Sequence, residues 1–152
     1  MPEPRATHPP TAGSGVAVIR VRKIDHLVLR SGQVPEMVRF YRDVLGCRVE
    51  RELPPATGLT QLRAGDALID IVAVDSELGR AGGGPPTTSE NNLDHFCLRI
   101  EDIGEDELRA WLESRGVECG AFQTRYGADG FGPSIYIRDP DGNTVELRGA
   151  GP

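Results

Sequence analysis

Two histidines and two acids stand at matched points of a repeated pattern in this chain of 152 residues. His26 lies in Ile24-Asp25-His26-Leu27-Val28-Leu29-Arg30, and His95 lies 69 positions further on in Leu93-Asp94-His95-Phe96-Cys97-Leu98-Arg99. Asp70 in Leu68-Ile69-Asp70-Ile71 and Glu146 in Thr144-Val145-Glu146-Leu147 are matched in the same way, 76 positions apart. Two imidazoles and two carboxylates form a nitrogen and oxygen donor set that suits Zn, Ni, Co, Mn or Fe. Octahedral geometry would leave positions open for water or substrate. Taken singly, a histidine beside an aspartate is more often a structural hydrogen-bonding residue, and a lone strand acid is usually solvated. Four in two-fold register, using every histidine except His8, favour one divalent metal per site.

The elements that must position these residues are legible as two copies of one unit. Each histidine opens an apolar, β-branched run that reads as a strand. A helix follows in each copy. In the first, Pro35 fits the opening turn, Val38, Tyr41, Val44 and Leu45 keep helical spacing, and Gly46 stops it; in the second, Leu108, Trp111 and Leu112 precede Gly116. Trp111, Phe40 and Tyr41 are expected in the core. Three strands then follow in each half, at 48–53, 60–64 and 67–74 and near 117–122, 134–138 and 144–148. Tight turns join the last two, Ala64-Gly65-Asp66 in one and Asp139-Pro140-Asp141-Gly142 in the other. Each half is therefore βαβββ, and the chain is α+β. The tandem modules are expected to form a curved mixed sheet around a metal-binding cleft, with the four ligands converging there.

The displacement between copies grows by six because the second has a longer loop, around Gln123 to Pro133. Residues 124–132 of that loop are polar and glycine-rich, and carry Tyr126 and Phe131. They are expected to close over the cleft and touch substrate. Residues 1–22 read as an extended or disordered tail with no apolar leader, and 23–149 as the domain: module one at 23–74, an exposed glycine- and proline-rich linker at 75–92, and module two at 93–149.

Composition limits the partners. The net charge of −6 gives no basic patch for nucleic acid or anionic membrane, and no run approaches the roughly 20 apolar residues of a membrane span. Cys47, Cys97 and Cys119 are odd in number and lack C-x-x-C spacing, which argues against a disulfide framework and for a reducing, cytoplasmic setting. Cys97, two residues after His95 on the same strand face, could approach the cleft, but a small buried hydrophobe is the commoner role.

The Asp-His strand, Phe40-Tyr41-Arg42-Asp43-Val44-Leu45-Gly46, and Asp139-Pro140-Asp141-Gly142-Asn143 followed by Val145-Glu146-Leu147 resemble the vicinal oxygen chelate superfamily. That superfamily includes glyoxalase I, methylmalonyl-CoA epimerase, extradiol dioxygenases, fosfomycin-resistance thiol transferases and bleomycin-binding proteins. The resemblance implies metal ligation by His26, His95 and Glu146. Asp70 falls where glyoxalase I has a glutamate and the epimerase a glutamine. Arg30 matches a glutathione-binding arginine, but Val74 stands where a glyoxalase would carry an asparagine. A homodimer acting on a small molecule is implied, with its sites inside one chain or across the interface. The chemistry first expected is a glyoxalase-like lyase or isomerase that chelates two adjacent substrate oxygens, with Glu146 and Asp70 as catalytic carboxylates. The alternatives are an Fe(II) extradiol-type dioxygenase using His26, His95 and Glu146 as a facial triad, and a non-enzymatic binding or drug-resistance module.

Overall fold

A computed structural model describes residues 18–149, residue 90 excepted. His8 and most of the expected tail lie outside the described residues. The chain runs β1 (His26–Ser31), α1 (Val34–Arg39), a π-helical turn (Phe40–Val44), β2 (Arg48–Glu52), β3 (Leu59–Ala64), β4 (Ala67–Ala73), β5 (His95–Arg99), α2 (Glu105–Ser114), β6 (Gln123–Gly127), β7 (Gly130–Arg138) and β8 (Thr144–Arg148). Two four-stranded mixed sheets result, ordered β1-β4-β3-β2 and β5-β8-β7-β6. In each, the histidine strand is an edge strand lying parallel to the acid strand, while the other pairs are antiparallel. The duplication is thus expressed in the topology as well as in the residues.

Local chemistry explains the helices. Pro35 occupies the first turn of α1, where its missing N–H is no loss. Glu105, Asp106 and Glu107 sit at the positive end of α2. Both helical segments are followed by a glycine at positive φ, Gly46 at 73° and Gly116 at 70°, which a side chain would oppose. The widened π turn brings the consecutive Phe40 and Tyr41 both into the core. Trp111 departs from expectation. It is 40% exposed at the module boundary, donating to the Val44 carbonyl at 2.9 Å beneath the Arg115 guanidinium.

One core serves both modules. It joins Leu62, Ile69 and Ile71 of the first sheet to Ile135, Ile137, Val145 and Leu147 of the second, with Met37, Phe40, Tyr41, Leu108 and Leu112 of the helical segments among them. Polar contacts cross the same boundary: the Tyr41 hydroxyl donates to Asp139 Oδ2 at 2.7 Å, and Gln33 Nε2 to Asp141 Oδ1 at 2.7 Å. Side chains alternate along a strand, so His26 and Asp70 lie on the face of their sheet opposite Ile69 and Ile71. His95 and Glu146 likewise lie opposite Val145 and Leu147. Each ligand-bearing face is therefore turned away from the shared core.

Two expected boundaries change. The strand near 117–122 forms instead at Gln123–Gly127, and β7 starts at Gly130 rather than 134. The expected closing loop is a regular hairpin in which Gly127 pairs with Gly130. The linker also turns back onto its module. The Arg30 guanidinium donates to the carbonyls of Gly79, Gly83 and Gly84 at 2.5 to 3.3 Å.

Candidate metal centre

The first half of the donor set lies on β1 and β4. His26 Nδ1 pairs with Asp25 Oδ1 at 2.7 Å, which leaves Nε2 as the nitrogen that could coordinate a metal. Asp25 and, more weakly, Asp70 raise the His26 pKa above its ordinary 6.5. Asp70 is 4% exposed, stands level with Val28 on β1, and faces Gln61 on β3. Gln61 Nε2 donates to both its oxygens at 3.2 and 3.3 Å. An amide thus holds this carboxylate on the strand beside the histidine.

The second half repeats the plan with other neighbours. His95 Nδ1 pairs with Asp94 Oδ2 at 2.6 Å, and its Nε2 lies 3.9 Å from Glu146 Oε2. A cation with bonds of about 2.0–2.2 Å can bridge that gap, so this pair fits a divalent ion. Glu146 Oε1 accepts from the Ser134 hydroxyl at 2.9 Å. Burial alone would raise the Glu146 pKa, but hydrogen bonds from Cys97 and Ser134, with the His95 and Arg125 charges, hold it below its ordinary value. Glu146 is therefore a carboxylate at neutral pH. The His95 ring packs edge-on to Tyr136 at 5.4 Å, which fixes its plane.

Cys97 corrects an expectation. It is exposed, stands opposite Glu146 in the β5–β8 register, and its thiol bonds that carboxylate. Desolvation, then the bond and charge of Glu146, push the thiol up to about 12, so it is a proton donor here. Ser134, Tyr136 and Gln61 were missed as site residues. Strand parity could have found them, since Gln61 and Tyr136 stand level with Asp70 and Glu146, and Ser134 lies on the same face one pair along from Glu146.

The four ligands do not converge within one chain. Among the described residues no three His, Cys, Asp or Glu side chains are grouped to hold an ion. The reason is the shared core, which takes the opposite face of each sheet. Within one chain the expected donors thus stand as two half-sites, one on each outward face. Arg30 is engaged with the linker carbonyls, and Tyr126 and Phe131 lie 66% and 59% exposed, with rings 5.1 Å apart near the end of the β6–β7 hairpin.

The chain belongs to the glyoxalase/bleomycin resistance protein/dioxygenase superfamily, whose model matches residues 23–147. It is 35% identical over 130 residues to biphenyl-2,3-diol 1,2-dioxygenase 3 of Rhodococcus globerulus, covering 83% of this chain but only 62% of that protein. It is 30% identical to virulence protein STM3117 of Salmonella typhimurium over 84% of this chain and 83% of that one. The crystal structure of that protein superposes with a TM-score of 0.67 over 86% and 98% of the two chains. Lactoylglutathione lyase from Agrobacterium tumefaciens is 26% identical, with a TM-score of 0.60 over 84% of this chain and 93% of that one. No helix among the described residues is long and apolar enough to cross a membrane.

Proposed function

We propose that the chain is one subunit of a homodimeric, divalent-metal-dependent lyase or isomerase acting on a small molecule with two adjacent oxygens. Each site takes His26 and Asp70 from one copy and His95 and Glu146 from the other. The observation that carries this reading is the division of the donor set between two outward faces, each holding one imidazole and one carboxylate. A bound divalent cation supplies Lewis acidity to the chelated oxygens. The protein's own residues supply the proton handling. Glu146, ionised and oriented by Cys97 and Ser134, accepts a proton from the substrate carbon. Asp70, held by Gln61 at the mirror position, stands on the other side of the substrate to return or take a proton.

A second reading is an Fe(II) extradiol-type dioxygenase, in which His26, His95 and Glu146 hold the ion and Asp70 remains with Gln61. Its support is the 35% identity to the Rhodococcus dioxygenase, whose length this chain spans only in part. Elemental analysis of protein purified without chelator should find a divalent metal that His26→Ala and Glu146→Gln each deplete about tenfold or more. An equimolar mixture of the two variants, dissociated and reassociated, should recover about a quarter of the sites, because random pairing makes half the dimers mixed, each with one intact site. Unchanged metal in both variants, or no recovery on mixing, sinks the shared site. Hemithioacetal isomerisation against catechol-dependent oxygen uptake then separates the two chemistries. Tight binding of an apolar ligand by metal-free protein, with neither activity, would favour a binding module instead.

A further inference from the structure

The outward face of the second sheet is cationic, although the chain as a whole is acidic at −6. By strand parity that face carries Arg99 on β5, Arg148 on β8, Arg138 on β7 and Arg125 on β6, with His95 and Glu146 between them. Arg99 is matched by the carboxylate of Asp129. Arg125 and Arg148 are not matched in this way.

Arg148 is 5% exposed, and its guanidinium donates only to main-chain carbonyls, those of Arg125 at 2.8 Å and Gly130. Its Nε is buried and without a hydrogen-bond partner. A seat is built for it. A Cβ at Gly127 would fall 3.1 Å from Nε, Cζ and Nη1, so this glycine of the β6–β7 hairpin leaves the space the guanidinium occupies. Arg125 lies over the Tyr136 ring at 4.8 Å and donates to Gln123 Oε1 at 2.7 Å; its Nε too is buried and unpartnered. Tyr136, which Arg125 covers, packs edge-on to His95, and Arg148 stands two residues along β8 from Glu146 on the same face, so both guanidinium groups share the face of the candidate metal ligands. A buried cation satisfied only by carbonyl dipoles retains most of its charge, and Arg148, so placed with the half-buried Arg125 beside it and no ion pair of its own among the described residues, is costly to keep there unless an anion arrives.

We infer that Arg125 and Arg148 form a subsite for an oxyanion group of the ligand, a carboxylate, phosphonate or phosphate, next to Glu146. This deepens the proposed function by making the substrate an anion, and it rests on that reading only in taking this face as the substrate face. Gly127 gains a purpose that loop closure does not give it: it admits the Arg148 side chain. On the same face of the first sheet Arg30 is bound to the linker, Arg63 is paired with Glu50, and the exposed Arg51 donates to Gln61.

The test uses the full chain stripped of metal, so that no ion competes for the probe, with inorganic phosphate titrated while the arginine Nε–H resonances are followed. Phosphate should shift the Arg125 and Arg148 signals saturably. Arg125→Gln should weaken binding about tenfold or more, the scale of one charge-assisted hydrogen bond. Arg39→Gln, which removes the same charge from α1, should leave binding unchanged. Arg125→Gln carries the test because Arg148 also braces the hairpin. Absence of saturable shifts, or equal weakening by Arg39→Gln, overturns the subsite. Metal content separates this from the function: retained metal with lost phosphate dependence on Arg125 defeats the subsite alone, while Arg125-dependent phosphate binding with no metal uptake defeats the metal-site reading alone.

Discussion

At the scale of single residues, the Asp-His pairs would set the acid limit of the proposed metal binding. A histidine must be neutral to ligate, and Asp25 raises the His26 pKa above 6.5 by its hydrogen bond. As pH falls through that raised value the proton displaces the metal. Asp25→Asn should therefore move the acid limb of a metal-binding profile to lower pH, while weakening affinity on the plateau about 10- to 100-fold as the ring loses its orienting partner. A limb that stays in place in a competitive zinc titration would show that Asp25 does not govern His26. These two imidazoles were the most legible part of the site, because the chain has so few and repeats them in register. Cys97 was misjudged because its own type suggests burial, whereas its neighbour across the ladder, Glu146, decides its role.

At the scale of elements, the junction between modules is tied by one buried contact. Asp139, in the β7–β8 turn, takes the Tyr41 hydroxyl from the π turn, Nδ2 of Asn143 and the backbone N–H groups of Asp141 and Asn143. Burial raises the Asp139 pKa above 3.8, and the hydrogen bonds offset only part of that rise. Ionising Asp139 thus opposes folding less with Tyr41 present than without it. Tyr41→Phe should lower unfolding free energy by about 1–3 kcal/mol at neutral pH. The deficit should shrink as pH falls and Asp139 protonates in both proteins; denaturant melts at pH 7 and pH 4 compare the two, and an equal deficit at both would refute the role given to the carboxylate. Strands β1 to β4 and both helices were readable from alternation, spacing and stop glycines. The β6–β7 hairpin was not, because Gln123 to Pro133 lacks alternation and looks like loop. Its pairing comes from the neighbouring strand and from Arg148, which no local window contains. The π turn was hidden likewise, since its cause is a core shared with the other module.

At the scale of the whole molecule, the helical segments lie in a core common to both sheets, and that placement turns the ligand-bearing faces outward. The sequence showed the repeat but could not show which faces the two copies would press together, because either packing buries the same apolar residues. Val28 lies on the outward face of edge strand β1, half exposed between His26 and Arg30. Val28→Glu should preserve the monomer's far-ultraviolet dichroism, the substitution being at a solvent-facing position, while abolishing the dimer and its metal. Light scattering with elemental analysis checks both, and a metal-loaded monomer would refute assembly across copies. The two outward faces have also diverged. One offers Val28, Leu68 and Val72 around Asp70, and the other offers Tyr136 and the guanidinium groups of Arg125 and Arg148 around Glu146. A donor frame with pseudo-two-fold symmetry and identical walls would receive a ligand either way round. Unlike walls would give it a head and a tail, so on the proposed function a prochiral carbon held between Asp70 and Glu146 would present one face to each, and its products would leave with a single handedness.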